Sequence, residues 1–195
     1  TYGCPPKSYG DLAFVQHMFA SLNSKGRLGV VLPHGILFRG GAEGKIRQGL
    51  LQDDKIEAVI GLASNLFYGT GIPACILIIN NNKPEERKNK VLIVNGSLDY
   101  VEGKNQNTLS DENVNRLSVA FKTYEDIERF CRVIDLSEIK ENDYNLNIAR
   151  YVGTAEAEES IDVKAELTML KELLIQRDAA ETKMMEYMKE LGYDS

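Results

Sequence analysis

Residues 55–80 read Lys55-Ile-Glu-Ala-Val-Ile-Gly-Leu62-Ala-Ser-Asn65-Leu-Phe67-Tyr68-Gly69-Thr-Gly71-Ile-Pro73-Ala-Cys-Ile-Leu-Ile-Ile79-Asn80. Two apolar runs rich in β-branched residues, each too short for a helix, flank a loop with two glycines and a proline. That pattern predicts two buried strands joined at one end of a sheet. Gly69 and Gly71 allow backbone turns closed to other residues, and Pro73 stiffens the start of the second strand. Phe67 and Tyr68 then stand at the mouth of the sheet, where an aromatic face suits stacking on a flat ring such as a nucleobase. A hairpin-like turn whose aromatics cap the core is the alternative reading of the same residues.

The flanking sequence extends the pattern. Leu12, Phe14, Val15, Met18, Phe19 and Leu22 recur at helical spacing, with Asp11 at the expected N-cap. The continuous apolar run Gly29-Val30-Val31-Leu32-Pro33 predicts a strand buried on both faces of a parallel sheet. Gly40-Gly41 opens a second helix carrying Ile46, Leu50 and Leu51. Residues 80–90 are polar and charged and read as a surface loop, and 91–94 as another strand. Ser110-Asp111-Glu112-Asn113 offers a helix start, and 131–136 a returning strand. Helix, strand, helix, strand, strand is the second half of a doubly wound α/β domain. No Gly-x-Gly-x-x-Gly and no Gly-Lys-Ser/Thr phosphate loop occurs.

The end of the chain differs in kind. Val163, Leu167, Leu170, Leu174, Arg177, Glu181, Met184, Met188 and Leu191 fall at alternating steps of four and three, the seam of a helix that packs on another helix. Arg177 and Glu181, one turn apart, either pair to fix register or belong to a solvated face. The organisation expected is a domain over 1–152, a linker over 153–160 and a helix over 161–191.

Charge is divided along the same lines. Of 29 acidic and 23 basic residues, 11 and 5 lie from Thr154 onward, which leaves 18 of each sign in residues 1–153. A neutral body with an acidic tail argues against strong autonomous DNA binding, which relies on Lys and Arg at phosphates. Cys4, Cys75 and Cys131 are far apart and odd in number, and read as reduced thiols of a cytoplasmic protein rather than a metal site or disulfide framework. No apolar run approaches the roughly 20 residues of a membrane span.

Read in order, residues 11–18 (Asp-Leu-Ala-Phe-Val-Gln-His-Met), 26–41 (Gly-Arg-Leu-Gly-Val-Val-Leu-Pro-His-Gly-Ile-Leu-Phe-Arg-Gly-Gly) and 65–79 resemble the modification subunit of type I restriction-modification systems, an adenine-N6 DNA methyltransferase. The resemblance continues through Glu138-Ile139 and Asn145-Leu146-Asn147-x-x-Arg150-Tyr151 and so covers most of residues 2–152. It implies the carboxyl-terminal half of a doubly wound methyltransferase sheet followed by a long terminal helix. In that family S-adenosylmethionine is held by a glycine-containing loop after the first strand, and the target adenine by an Asn-Pro-Pro-aromatic loop after the fourth. Neither is in this sequence, since Cys4-Pro5-Pro6-Lys7 lacks both the asparagine and the aromatic. The first residue, Thr1, fits the same expectation, a chain that begins within a domain and does not methylate alone.

The resemblance assigns roles residue by residue. Phe67, and next Tyr68, would stack on the flipped base, and Asp11 and Phe14 would border the cofactor's adenine pocket. An N-cap and a core aromatic are the alternatives for that second pair. Arg39 and Lys45, beside the Gly40-Gly41 turn, are candidate phosphate contacts or ordinary surface basics. His34, after a strand end, and His17, on a helix, are open as ligands or as hydrogen-bonded residues. No catalytic and no metal-binding residue is expected. The implied partners are a specificity subunit engaged by the terminal helix, DNA, and a restriction nuclease subunit. A non-catalytic scaffold built on the half-fold is the competing reading. A small-molecule methyltransferase is disfavoured by the loop.

Overall fold

The buried side chains on the two faces of the strands show how the sheet is covered. The computed structural model describes residues 2–153, 163–191 and 193. It divides into two units, Thr1–Thr154 and Ala155–Ser195. In the first, α1 (Asp11–Ala20) leads into β1 (Arg27–Pro33), the short α2 (Gly35–Phe38) and α3 (Gly41–Gln52). Then follow β2 (Ile56–Leu62), β3 (Ala74–Asn80), a short turn (Glu85–Arg87), β4 (Lys90–Gly96), α4 (Asp111–Thr123), β5 (Cys131–Asp135), α5 (Leu136–Glu141) and α6 (Ile148–Tyr151).

The sheet order is β1-β3-β2-β4-β5. β3 runs antiparallel to both β1 and β2, β2 and β4 are parallel, and β5 is antiparallel to β4. On one face Val59, Cys75, Leu77, Ile79 and Ile93 pack with Leu12, Val15, Ile46, Leu50 and Ile139 from the helices. On the other face Ala58, Ile60, Leu62, Leu92 and Val94 meet Leu117 and Ala120 of α4. Ser110 caps α4 through a reciprocal bond with Asn113, the arrangement its sequence offers.

Three expectations need correction. β1 is an antiparallel edge strand among the described residues, with Leu32 buried but Gly29 and Val31 exposed. Its unbroken apolar run resembles that of a doubly covered strand, yet the cluster under α4 reaches β2, β4 and Ile76 and Ile78 of β3 and takes in no residue of β1. Asp11 is not the N-cap of α1. Gly10 holds that position, and Asp11 lies in the first turn, where a carboxylate also favours the helix. The polar segment 80–90 is an anchored connection. Lys83 is buried, donating to Asp54 at 2.5 Å and to the Lys90 carbonyl at 2.8 Å.

In the second unit α7 (Val163–Glu190) runs for 28 residues, about 42 Å at the usual rise per residue. Residues 154–162, which hold most of the expected linker and the first two residues of the expected 161–191 helix, lie outside the described residues. On α7 the seam residues Leu170, Leu174, Met184 and Met188 are exposed, and so are Leu173, Ile175, Met185 and Tyr187 off the seam. Arg177 pairs with the adjacent Asp178 at 2.5 Å rather than with Glu181. No helix among the described residues is long and apolar enough to cross a membrane.

Candidate functional site

Strand polarity gathers the candidate residues at one end of the sheet. β1, β2 and β4 run one way and β3 and β5 the other, so the ends of β1, β2 and β4 lie beside the start of β3. That end carries His34, the loop 63–73 between β2 and β3, and the segment 97–109 after β4. Because α1 leads back to the start of β1, its first turn, with Asp11 and Phe14, faces the same end.

The loop 63–73 closes as a tight turn bracketed by a Phe67–Thr70 bridge. Tyr68 and Gly69 form its tip, and Gly69 sits at φ +76°, a conformation that favours glycine. Asn65 takes the other left-handed position, φ +57°. Gly71 has no positive φ and open space around it, so the turn depends on Asn65 and Gly69 rather than on the pair of glycines. Tyr68 is 94% exposed and Phe67 40% exposed. Exposure of two rings on a turn held open to water is unfavourable for a core cap. Ile72, exposed beside them, adds an apolar side chain that the sequence reading passed over.

The loop from Asn65 to Gly71, with Asn105 and Gln106, lines a cavity of about 270 Å³. Its wall combines aromatic faces with carboxamides and a hydroxyl, a set that stacks and hydrogen-bonds a flat heterocycle. Its lining carries no carboxylate, imidazole, amine or thiol. Gln106 donates to the Leu66 carbonyl at 2.6 Å, and Asn107 reaches the carbonyls of Ser64 and Asn65. Asn105-Gln106-Asn107 gives no sign of this in the sequence beyond an amide-rich turn.

The remaining candidates have defined partners. The His34 ring donates from Nε2 to the Ala74 carbonyl at 2.9 Å, tying the end of β1 to the start of β3. His17 is exposed on α1. Phe14 is 70% exposed, and Asp11 is close to Arg39, at 3.9 Å. Arg39 lies over the Tyr9 ring at 4.1 Å and pairs with the buried Glu43 at 3.4 Å, so its guanidinium is committed within the fold. Lys45 is exposed on α3. Beneath them Arg47, buried, donates to the carbonyls of Ile36, Arg39 and Tyr144, and its desolvation lowers its pKa against the pull of Glu43. Burial pushes the Cys75 thiol up to about 12 and also raises Cys131, so neither is a ready nucleophile. Among the described residues no group of three potential ligands comes together for a metal.

Similarity to known proteins follows the same residues. The N-6 DNA methylase family profile matches residues 1–160. The MjaVII type I restriction enzyme methylase subunit of Methanocaldococcus jannaschii is 45% identical over 174 residues, which is 88% of this chain and 30% of that relative. The HindI methylase subunit of Haemophilus influenzae is 32% identical over 99% of this chain and 46% of its own length. A solved type I restriction-modification methyltransferase subunit from Streptococcus thermophilus superposes with a TM-score of 0.72 at 43% identity, covering 76% of this chain and 31% of that one. The chain thus spans less than half the length of each of these relatives. The chain belongs to the N-6 DNA methylase family, and the relatives it is similar to are methyltransferase subunits of type I restriction-modification systems.

Proposed function

We propose that this chain is the target-base and assembly portion of a site-specific DNA adenine-N6 methyltransferase that uses S-adenosylmethionine, the modification subunit of a type I restriction-modification system. The observation that carries the reading is the solvent-facing Phe67–Tyr68 turn beside a carboxamide-lined cavity. An exocyclic amine is out of reach inside a duplex, so its nucleotide swings out, and stacking on an aromatic face returns roughly 1–3 kcal/mol per base. Phe67 and Tyr68 supply that face in this reading, and Asn105 and Gln106 wall the cavity next to it.

Asp11 and Phe14 suit a cofactor rim. Both belong to the first turn of α1, and the Phe14 ring is free to stack on an adenine face. S-adenosylmethionine, when bound, supplies a methyl group on a positively charged sulfur. The uncommitted basic side chain of Lys45 is the phosphate contact we retain, since Arg39 is engaged by Glu43, Asp11 and Tyr9. β1 supports the carboxyl-terminal assignment: among the described residues its outer edge is unpaired and Val31 is exposed, which suits further strands beside it. The groups that bind the cofactor and activate the amine belong to those upstream strands in this reading.

α7 suits the specificity subunit, because a long helix with exposed leucines and methionines buries them against other helices. A partner that reads the sequence also accounts for an acidic chain acting on DNA, and a restriction nuclease subunit joins the same assembly. Residues 1–195 alone should transfer no methyl group from S-adenosylmethionine to DNA. The complete modification subunit with its specificity subunit should do so, and Phe67→Ala should impair it. Robust transfer by residues 1–195 alone would refute this division of labour. An assembled enzyme indifferent to Phe67→Ala would favour a scaffold.

A further inference from the structure

The aromatic turn has little of its own to hold it. Inside the loop 63–73 there is the Phe67–Thr70 bridge and a bond from the Ile72 amide to Thr70 Oγ1 at 3.2 Å. β2 has ended at Leu62, so the carbonyls of Ser64, Asn65 and Leu66 have no strand partner. All three are met by two consecutive residues of the segment 97–109. Asn107 Nδ2 donates to Ser64 at 3.0 Å, the Asn107 amide to Asn65 at 2.8 Å, and Gln106 Nε2 to Leu66 at 2.6 Å. The three carbonyls immediately precede Phe67.

The donors are themselves fixed. The Asp99 carboxylate, 4% exposed, accepts from Arg116 of α4 at 2.7 Å, and Arg116 lies over the Phe130 ring at 4.0 Å. Val101 and Thr108 exchange both backbone bonds, at 2.8 and 3.0 Å. A side chain at Gly103 would come within 2.0 Å of the Gln106 carbonyl, so the turn closes only on glycine. A path of bonds therefore runs from α4 through Asp99 and the Val101–Thr108 bridge of this arm to the backbone that carries Phe67.

We infer that the 97–109 arm is the jig of the aromatic turn, with Gln106 and Asn107 as positioning residues for Phe67 and Tyr68 on the target base. The inference rests on reading that turn as the base site. Stacking on an extruded base needs the ring held in one place, and small misplacements are costly to turnover. The arm supplies that rigidity through the bonds of Gln106 and Asn107 to the loop backbone.

The test uses the complete modification subunit assembled with its specificity subunit, and a duplex carrying fluorescent aminopurine at the target adenine. Gln106→Met keeps the length and adds no charge but removes the donor facing the Leu66 carbonyl, and Asn107→Leu does the same at Ser64. Each should raise KM for DNA about tenfold, as expected when one hydrogen bond that positions the site is lost, and reduce the extrusion signal in the same direction as Phe67→Ala. Affinity for S-adenosylmethionine and the melting temperature should stay at the parent values. If Phe67→Ala alters the signal while both arm variants match the parent, the jig is refuted and the base site stands. A fall in melting temperature with lower kcat and unchanged KM in the arm variants would make the arm a structural support only and refute the inference. If Phe67→Ala also leaves signal and KM unchanged, the reading of the base site falls and the jig with it.

Discussion

The two ends of this sheet treat their aromatic rings in opposite ways. At the end where β2 begins, charge is drawn inward. The Glu57 carboxylate, 0% exposed, accepts from Arg27 and Arg87 at 3.1 Å and from Asn80 at 3.0 Å, and Lys83 is buried on Asp54. Arg87 also lies over the Tyr124 ring, at 4.3 Å. At the end where β2 finishes, two aromatic rings are held out in water on a left-handed turn. A fold gains nothing by exposing Tyr68 and Phe67, whereas a buried carboxylate with three donors fixes three chain segments in register. One end is organised for the fold and the other, in the proposed function, for a ligand.

Substitutions should therefore divide by end. Glu57→Ala leaves Arg27 and Arg87 without their common carboxylate, and breaking such a buried pair costs about 3–5 kcal/mol. Arg27 is half-exposed, so the lower figure is expected, read as a shift of the urea unfolding midpoint of the assembled protein. At the other end, Phe67→Ala should lower kcat/KM for methyl transfer by about 5- to 150-fold, the equivalent of roughly 1–3 kcal/mol of lost stacking, with the unfolding midpoint little changed. A large loss of stability from Phe67→Ala, or of turnover alone from Glu57→Ala, would break the division.

Smaller changes sharpen it. Gly69→Ala forces a side chain into φ +76° and should cost about 1 kcal/mol, seen as a severalfold rise in KM for DNA. Gly71→Ala, with open space and no such backbone constraint, should be silent in the same assay. Thiol reactivity probes how firmly the functional end is closed beneath its loop. Cys4 is exposed, whereas Cys75 starts β3 beneath the aromatic turn with its pKa raised by burial to about 12, and Cys131 is raised as well. Burial, which raises both, keeps these two thiols protonated and shielded. A disulfide reagent near pH 8 should label Cys4 rapidly in this chain, and Cys75 and Cys131 at the rate of unfolding. Fast labelling of Cys75 would show that end opening.

What the sequence disclosed follows from the range of the interactions involved. The runs at 56–62 and 74–80 and the Ser110 cap are local signals, and each appears where its residues predict. The aromatic turn was legible because glycine and adjacent aromatics mark it within a few residues. β1 misled because an apolar run reports that neighbours exist on a face, not which element supplies them. The charged lock and the arm were invisible for the same reason. Lys83 meets Asp54 across 29 residues, and Gln106 meets Leu66 across 40. A polar segment reads as a loop whether its side chains face water or another strand.

The central claim is that the Phe67–Tyr68 turn holds the target base, and photochemical crosslinking tests it most directly. The assembled enzyme would be irradiated on a duplex with photoreactive iodouracil at the target adenine, and the crosslinked peptide identified. Attachment is expected within residues 65–73, at Phe67 or Tyr68. Crosslinks found only at residues outside that loop would contradict it.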